Sequence, residues 1–121
     1  MKKILFLLVM MLGLCGLSNA QVCKISETGD NVEVFSASIV DGHTVSVVVG
    51  NDSQDKSANV TVNVTVTYKG SSTSKEYTFT AKAIAQPNQT TEIKIDIPER
   101  DKQDRTPVSA KVTQITGTKC L

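Results

Sequence analysis

Apolar and small polar side chains alternate without interruption over residues 59–68, where valine or tyrosine takes every even position and threonine or asparagine every odd one. Successive side chains of a strand point to opposite faces, so this pattern predicts a β-strand with one buried face. The β-branched side chains favour the same interpretation. A long, uncharged strand of this composition would promote aggregation at a sheet edge, and we therefore expect it inside a sheet, paired on both sides.

The same alternation predicts six further strands, separated by turn residues. In chain order they cover residues 22–26, 32–40, 44–50, 77–81, 93–97 and 108–115. The alternation slips near Phe35, which predicts a bulge or a change of sheet, and it slips again before Ile115. Asp41-Gly42 is typical of a tight hairpin turn, and the strand at 77–81 is predicted to pair antiparallel with its predecessor.

Seven short strands in about a hundred residues predict an all-β fold, a seven-stranded immunoglobulin-like β-sandwich. A small closed barrel is the alternative. The connections are expected to be a polar loop at 51–57, a flexible turn at 69–74 and a solvated loop at 98–107, within which residues 99–105 carry no apolar side chain.

The N-terminus has the pattern of a cleaved secretory signal. Lys2 and Lys3 precede the apolar run 4–14, and Ser18-Asn19-Ala20 provides small residues at the positions that a signal peptidase reads. We therefore predict a bacterial Sec signal peptide at 1–20 and a single secreted or periplasmic domain at 21–121. The apolar run is about half of the roughly 20 residues that span a bilayer, which disfavours a retained anchor.

The composition of the predicted mature chain agrees with an all-β fold. It has fourteen Val, fourteen Thr and seven Ile, but no Met and one Leu, so apolar helix formers are scarce. Removing Lys2 and Lys3 from the 13 basic residues leaves 11 against 12 acidic ones, a net charge of −1. We expect neither nucleic-acid nor anionic-membrane binding, because there is no basic field to support it.

Two cysteines remain after cleavage, Cys23 and Cys120, one near each end of the domain. In an oxidising compartment such a pair predicts a disulfide. A reactive or metal-binding thiol is the alternative, although neither cysteine has a histidine or second cysteine nearby in sequence to support it.

Residues that could carry catalysis are few. His43 is the only histidine and follows a turn, where a solvated surface position is expected rather than a general base. No Gly-x-Ser-x-Gly motif occurs, and the acids of residues 99–105 alternate with bases, which predicts weak surface ion pairs. The sequence predicts a non-enzymatic protein with no catalytic residues and no cofactor.

Metal and aromatic binding sites are also poorly supported. Residues 51–55, Asn-Asp-Ser-Gln-Asp, resemble the start of a calcium loop, but Lys56 and Val62 stand where an EF-hand needs Gly and Glu, so only a weak Ca²⁺ site remains as an alternative. We predict no metal site. The four aromatic residues of the mature chain fit the buried positions of their strands and are expected in the core: Phe35, Tyr68, Tyr77 and Phe79.

Three segments carry a resemblance to a known family. They are Val45-Ser46-Val47-Val48-Val49-Gly50-Asn51-Asp52-Ser53, then Ala58-Asn59-Val60-Thr61-Val62, then Pro87-Asn88-Gln89-Thr90. In this order the chain resembles the small secreted bacterial immunoglobulin-like domains of the FxLYD and LEA14-like kind. The resemblance implies a β-sandwich that acts as an accessory or binding module and carries no catalytic residues. The terminal cysteine placement is also similar to that of periplasmic immunoglobulin-like proteins that restrain curli amyloid.

With little chemistry on a cross-linked scaffold, the sequence predicts an accessory module that binds an unidentified protein partner through loops or a sheet edge. The alternative is a structural subunit, or a modulator of amyloid or fibre assembly, that self-associates by edge-strand pairing. The candidate interaction residues lie in two loops: Lys69, Gly70, Ser71, Ser72, Arg100, Asp101, Lys102 and Arg105.

Overall fold

The structure is a computed structural model that describes residues 20–25 and 31–120. Within these ranges the chain forms eight β-strands and no helix, and so no helix that could cross a membrane. The strands are β1 (Ala20–Ile25), β2 (Val32–Ile39), β3 (Thr44–Asn51), β4 (Ala58–Lys69), β5 (Ser74–Ala85), β6 (Gln89–Asp96), β7 (Thr106–Ile115) and β8 (Thr118–Lys119).

Two four-stranded antiparallel sheets pack face to face as an immunoglobulin-like sandwich. The first sheet has the order β1-β2-β3-β6 and the second β5-β4-β7-β8. The predicted all-β sandwich is confirmed, with eight strands instead of seven. β4 is paired with β5 on one side and β7 on the other, as its uncharged and uniform alternation predicts.

Valine is the commonest residue in the core, and most of the core valines lie on β3 and β4. Val45, Val47 and Val49 of β3 are fully buried, and so are Val60, Val62, Val64 and Val66 of β4. The even positions of β4 face inward and its threonine and asparagine positions face outward, in the predicted register. The isoleucines of β6 close the core at one edge of the first sheet.

Both predicted slips of alternation are bulges. The β2–β3 register shifts between Val34 and Ser36. The β4–β7 register shifts between Val112 and Gln114, because these two residues pair with neighbouring positions of β4. Phe35 is the extra residue in β2. Its side chain is buried, but it lies outside the core cluster and covers Gly50 of β3.

The aromatic prediction therefore holds in part. Tyr68 is buried in the core, and Tyr77 and Phe79 are half-buried against it. Phe35 packs instead on the opposite surface of β3, because the bulge turns its ring away from the valine side.

Asn51 corrects the prediction of a polar loop at 51–57. It is the last residue of β3 and is fully buried. Its amide donates hydrogen bonds to the carbonyl oxygens of Lys56 and Ala85, at 2.9 and 3.0 Å, and its side-chain oxygen accepts one from the Ser53 amide. These bonds satisfy the polar side chain that burial would otherwise penalise, so Asn51 joins the two sheets at this end of the sandwich.

The predicted disulfide is confirmed. Cys23 lies on β1, an edge of the first sheet, and Cys120 follows β8, an edge of the second, with their Cα atoms 5.1 Å apart. The bond joins residues 97 positions apart. On the chain-entropy model, a loop of this size stabilises the fold by about 4 to 5 kcal/mol.

The two ends of the described chain differ in detail from the predicted strands. β1 begins at Ala20 rather than at residue 22, and the predicted signal peptide otherwise lies outside the described residues. The final predicted strand, 108–115, lies within β7 and ends with it at Ile115. A tight turn at Thr116 and Gly117, both with positive φ, follows, and β8 then pairs back onto β7.

Candidate functional site

Three loops meet at one end of the sandwich. The β2–β3 turn, the β4–β5 turn and the β6–β7 loop all connect strand ends that are paired or adjacent there. The Ile97 amide donates to the His43 carbonyl at 2.9 Å, which ties the first of these loops to the third. The structure thus brings the two predicted interaction loops together. We name the surface formed by 69–73 and 98–105 the loop end.

Asp101 organises the loop end. One of its carboxylate oxygens accepts hydrogen bonds from the backbone amides of Gln103 and Arg105, both at 2.9 Å. The other accepts from the Arg105 guanidinium at 2.7 Å and from the Tyr77 hydroxyl at 3.0 Å. Four donors on one carboxylate fix the path of the loop and join it to β5.

The Asp101–Arg105 pair is a correction to the prediction of a wholly solvated loop with weak ion pairs. The two side chains are only 6% and 11% exposed, whereas Arg100 and Asp104, which form the expected surface pair, are 65% and 77% exposed. The burial has a packing cause, since the Arg105 stem lies against Gly70, where an added Cβ would come within 3.0 Å of Arg105 Cγ. A side chain at position 70 would crowd this stem.

The electrostatics of the loop end follow from this arrangement. Burial acts to raise the pKa of Asp101, but the hydrogen bonds from Arg105, Tyr77 and Gln103 outweigh it and lower that pKa to about 2. The hydrogen bond to Asp101 raises the pKa of Arg105. The carboxylate is therefore charged over the whole physiological range, and it acts as a structural ion rather than as a proton donor.

Two tyrosines connect this loop to the core. Tyr68 donates from its hydroxyl to the Pro98 carbonyl at 2.6 Å, and its ring meets that of Tyr77 edge to face with centroids 5.3 Å apart. Burial, followed by the nearby Asp101 charge, raises the pKa of Tyr68. Tyr68, the last residue of the alternating β4 pattern, thus connects the loop end to the core.

The predicted interaction residues fall into two groups. Asp101 and Arg105 are buried struts and present little side chain to a partner. The others are exposed and form a surface with both positive charge and hydroxyl groups: Lys69, Gly70, Ser71, Ser72, Arg100 and Lys102. The sequence did not predict this division, because a run of alternating charges does not show which acidic side chain accepts hydrogen bonds from the backbone amides of the loop.

The other residues that could carry catalysis or bind a metal, His43 and the calcium-loop-like segment 51–55, are not part of the loop end. His43 is half-exposed beside Asp41 in the β2–β3 turn, and its backbone amide, which donates to that carboxylate, is the main cause of the lowered pKa of Asp41. No group of three or more His, Cys, Asp or Glu side chains is placed to hold a metal ion among residues 20–25 and 31–120. In the segment that resembles a calcium loop, the Asn51 side chain is occupied by the protein's own backbone.

The outer face of the second sheet is polar and internally bonded. Thr80 donates to the Asn63 side-chain oxygen at 2.8 Å, and the Asn63 amide donates to Gln114 at 2.7 Å, so one chain of hydrogen bonds crosses β5, β4 and β7. Thr65 and Thr78 form a further cross-strand pair. These side chains mostly form hydrogen bonds with each other, which argues against a binding site on this face.

β5 is the longest exposed sheet edge in the part of the chain that the structure describes. All twelve of its residues pair with β4, and no described strand lies on its other side. The residues on its inward side are half-buried where they pack against the core: Tyr77, Phe79, Ala81 and Ala83. This edge combines unpaired backbone groups with accessible apolar surface, and we name it the β5 edge.

Comparison with known proteins identifies no family. No protein-family model and no curated protein matches the chain. Among solved structures, the trimeric lipoprotein SadB of Salmonella enterica is similar with a TM-score of 0.41 and 11% identity, over 96% of this chain and 73% of that one. The resemblance to FxLYD and LEA14-like domains stays a prediction.

Proposed function

We propose that this chain is a secreted or periplasmic, non-enzymatic immunoglobulin-like accessory module that binds another protein through the loop end. The observation that carries the proposal is the Asp101 cluster, which fixes the 98–105 loop against β5 and sets the Arg105 stem against Gly70 of the other candidate loop. Loops positioned by a rigid sheet scaffold are a common basis for recognition, because little conformational entropy is lost when they bind.

The compartment is supported by two features. The N-terminal segment has the pattern of a Sec signal, and the Cys23–Cys120 bond is of a kind that persists in oxidising compartments. We therefore place the mature protein outside the cytoplasm.

The exposed residues of the loop end define the test. Affinity capture from the native cell envelope is carried out with the oxidised wild type, with an Arg100→Glu/Lys102→Glu variant, and with a Lys56→Glu variant at the opposite end of the sandwich. We expect one partner to be recovered with the wild type and the Lys56 variant and lost with the double variant. Repeated capture of nothing, or of a partner indifferent to Arg100 and Lys102, would overturn the proposal.

A second candidate function is a structural or assembly role through edge-strand pairing, and the β5 edge favours it. Twelve residues with an unpaired side are enough for a long β-ladder with another strand. Sedimentation measurements that show a strict monomer at high concentration, together with no capture sensitive to β5 variants, would exclude it.

A further inference from the structure

The edges of the two sheets are unequal. β1 and β8, which lie on the disulfide side, have six and two residues, while β5 has twelve. Edge strands in soluble proteins are usually short, covered or interrupted by charge or proline, because open ladders invite pairing. β5 is neither short nor covered by another strand, and it contains no proline. Its three charged residues are therefore the features that can limit or direct pairing at this edge.

Those charges have a definite arrangement. Lys75 lies near the Tyr77 ring, 5.4 Å from its centroid. Glu76 and Lys82 are exposed on the outward face, six residues apart, and neither has an ion-pair partner among residues 20–25 and 31–120. A pair of opposite, unpartnered charges at symmetric distances from Phe79 suggests a two-fold partner.

We propose that the β5 edge binds a second copy of this chain, with the two β5 strands antiparallel and the two-fold axis at Phe79. In an antiparallel pair, residues directly opposite each other lie on the same face and interact. Centring on Phe79 places Glu76 of each copy opposite Lys82 of the other, which makes two charge pairs by symmetry. It also places Tyr77 opposite Ala81, a large residue opposite a small one.

Neighbouring registers lack this complementarity. Moving the axis to Thr78 places Glu76 opposite Thr80 and Lys82 opposite Ser74. Moving it to Thr80 places Glu76 opposite Ile84 and Lys82 opposite Thr78. The Phe79-centred register is therefore the one among the three that matches the charges, and a shift by one position between the chains would put inward residues opposite outward ones.

The pairing would complete the open side of the fold. The two second sheets join into one continuous sheet, and the half-buried inward residues of β5 face their counterparts across the seam. The interface is isologous, so it closes at two copies and does not propagate. The inference deepens the edge-pairing candidate and rests on it, and it is independent of partner binding at the loop end.

The test is sedimentation equilibrium on the oxidised protein from about 1 µM to about 1 mM, followed by charge exchange on β5. We expect a monomer–dimer equilibrium in the wild type. Lys82→Glu and Glu76→Lys should each weaken the dimer by at least about tenfold, because each places like charges opposite one another twice. The Glu76→Lys/Lys82→Glu double variant should restore the dimer to within about threefold of the wild type.

Lys119→Glu is the matched control, since Lys119 is an exposed lysine on β8, the opposite edge of the same sheet, and it should leave the dimer unchanged. A strict monomer, a dimer insensitive to Lys82→Glu, or a double variant as weak as the single ones would overturn the proposal. None of these residues belongs to the loop end. The envelope capture experiment, which depends on Arg100 and Lys102, can therefore succeed or fail independently of the dimer.

Discussion

The two sides of the sandwich are closed in different ways. On one side the short edge strands β1 and β8 are joined covalently by Cys23–Cys120. On the other side β5 and β6 are held by packing of half-buried and buried side chains. Two hydrogen bonds add to it, one between Tyr77 and Asp101 at the loop end and one from Asn51 to the Ala85 carbonyl at the opposite end. The difference shows that the covalent link is confined to the side with short edge strands, whereas the long, accessible edge lies on the side held without one.

Removing the disulfide is the change with the largest expected effect. The Cys23→Ala/Cys120→Ala variant should lose about 4 to 5 kcal/mol of unfolding free energy, because its unfolded chain regains the entropy of an open loop. Urea unfolding of the variant against the wild type measures the loss, and reduced wild type is the control. A loss below about 1 kcal/mol would mean that the disulfide side is held by packing as well.

Phe79→Ala tests the open side. Full burial of a phenylalanine makes this truncation cost about 3 to 5 kcal/mol, so for the half-buried Phe79 we expect about 2 kcal/mol. Unfolding is measured at low protein concentration, where association does not contribute. Ile84→Thr, at an exposed position on the same strand, should change stability by no more than about 0.5 kcal/mol. Equal effects of the two substitutions would contradict the packing of β5 against the core.

Acid should loosen the open side at the loop end. The pKa of Asp101 in the fold is about 2, below the ordinary value of 3.8, so the charged form stabilises the fold at neutral pH. That contribution is fully present above pH 4 or so and is lost as the pH falls toward 2. The melting temperature of Asp101→Asn should therefore lie below that of the wild type at pH 7, and the two should converge near pH 2.

Asp104→Asn is the control for acid, because Asp104 is exposed and asparagine tolerates its positive φ of 61°. We expect little change from it at either pH. If Asp101→Asn and Asp104→Asn behaved alike, the loop end would not depend on the four hydrogen bonds at Asp101.

Tyr68→Phe should have the smallest effect. It removes one hydrogen bond, to the Pro98 carbonyl, and should cost about 1 kcal/mol while leaving the ring in place. Because the pKa of Tyr68 is raised in the fold, its contribution is present below pH 10 or so and is lost above it. The variant and the wild type should thus differ less in strong alkali, and a difference that grew with pH would contradict the burial of this hydroxyl.

The alternating segments were predictable because period-two patterns report directly which face is buried. Residues 59–68 indicated both the inward valines and the central position of β4, and the slip near Phe35 indicated a bulge. The disulfide followed from two cysteines and a signal-like N-terminus. The strands and the bulge follow from local side-chain patterns, and the disulfide follows from the presence of only two cysteines in the predicted mature chain.

The missed features depend on contacts between distant residues. Asn51 is polar and sits beside turn residues, yet it is buried because Ala85, 34 positions away, provides an acceptor. Asp101 and Glu99 are indistinguishable in a run of charges, and only the position of Tyr77 on β5 selects Asp101 as the centre of the loop. The β5 edge could not be predicted either, since the alternation of this charged strand shows its buried face but not whether a second strand pairs with it.

The contact between Phe35 and Gly50 has an evolutionary consequence. A Cβ at position 50 would come within 2.5 Å of the Phe35 ring, so the bulged aromatic and the bare backbone beneath it must be retained or exchanged together. Relatives that keep the bulge should show an aromatic residue with glycine at these two positions, and those that lose the bulge should be free to carry a side chain at the second. This coupled pair offers a signature for recognising distant members of the lineage where overall identity has decayed.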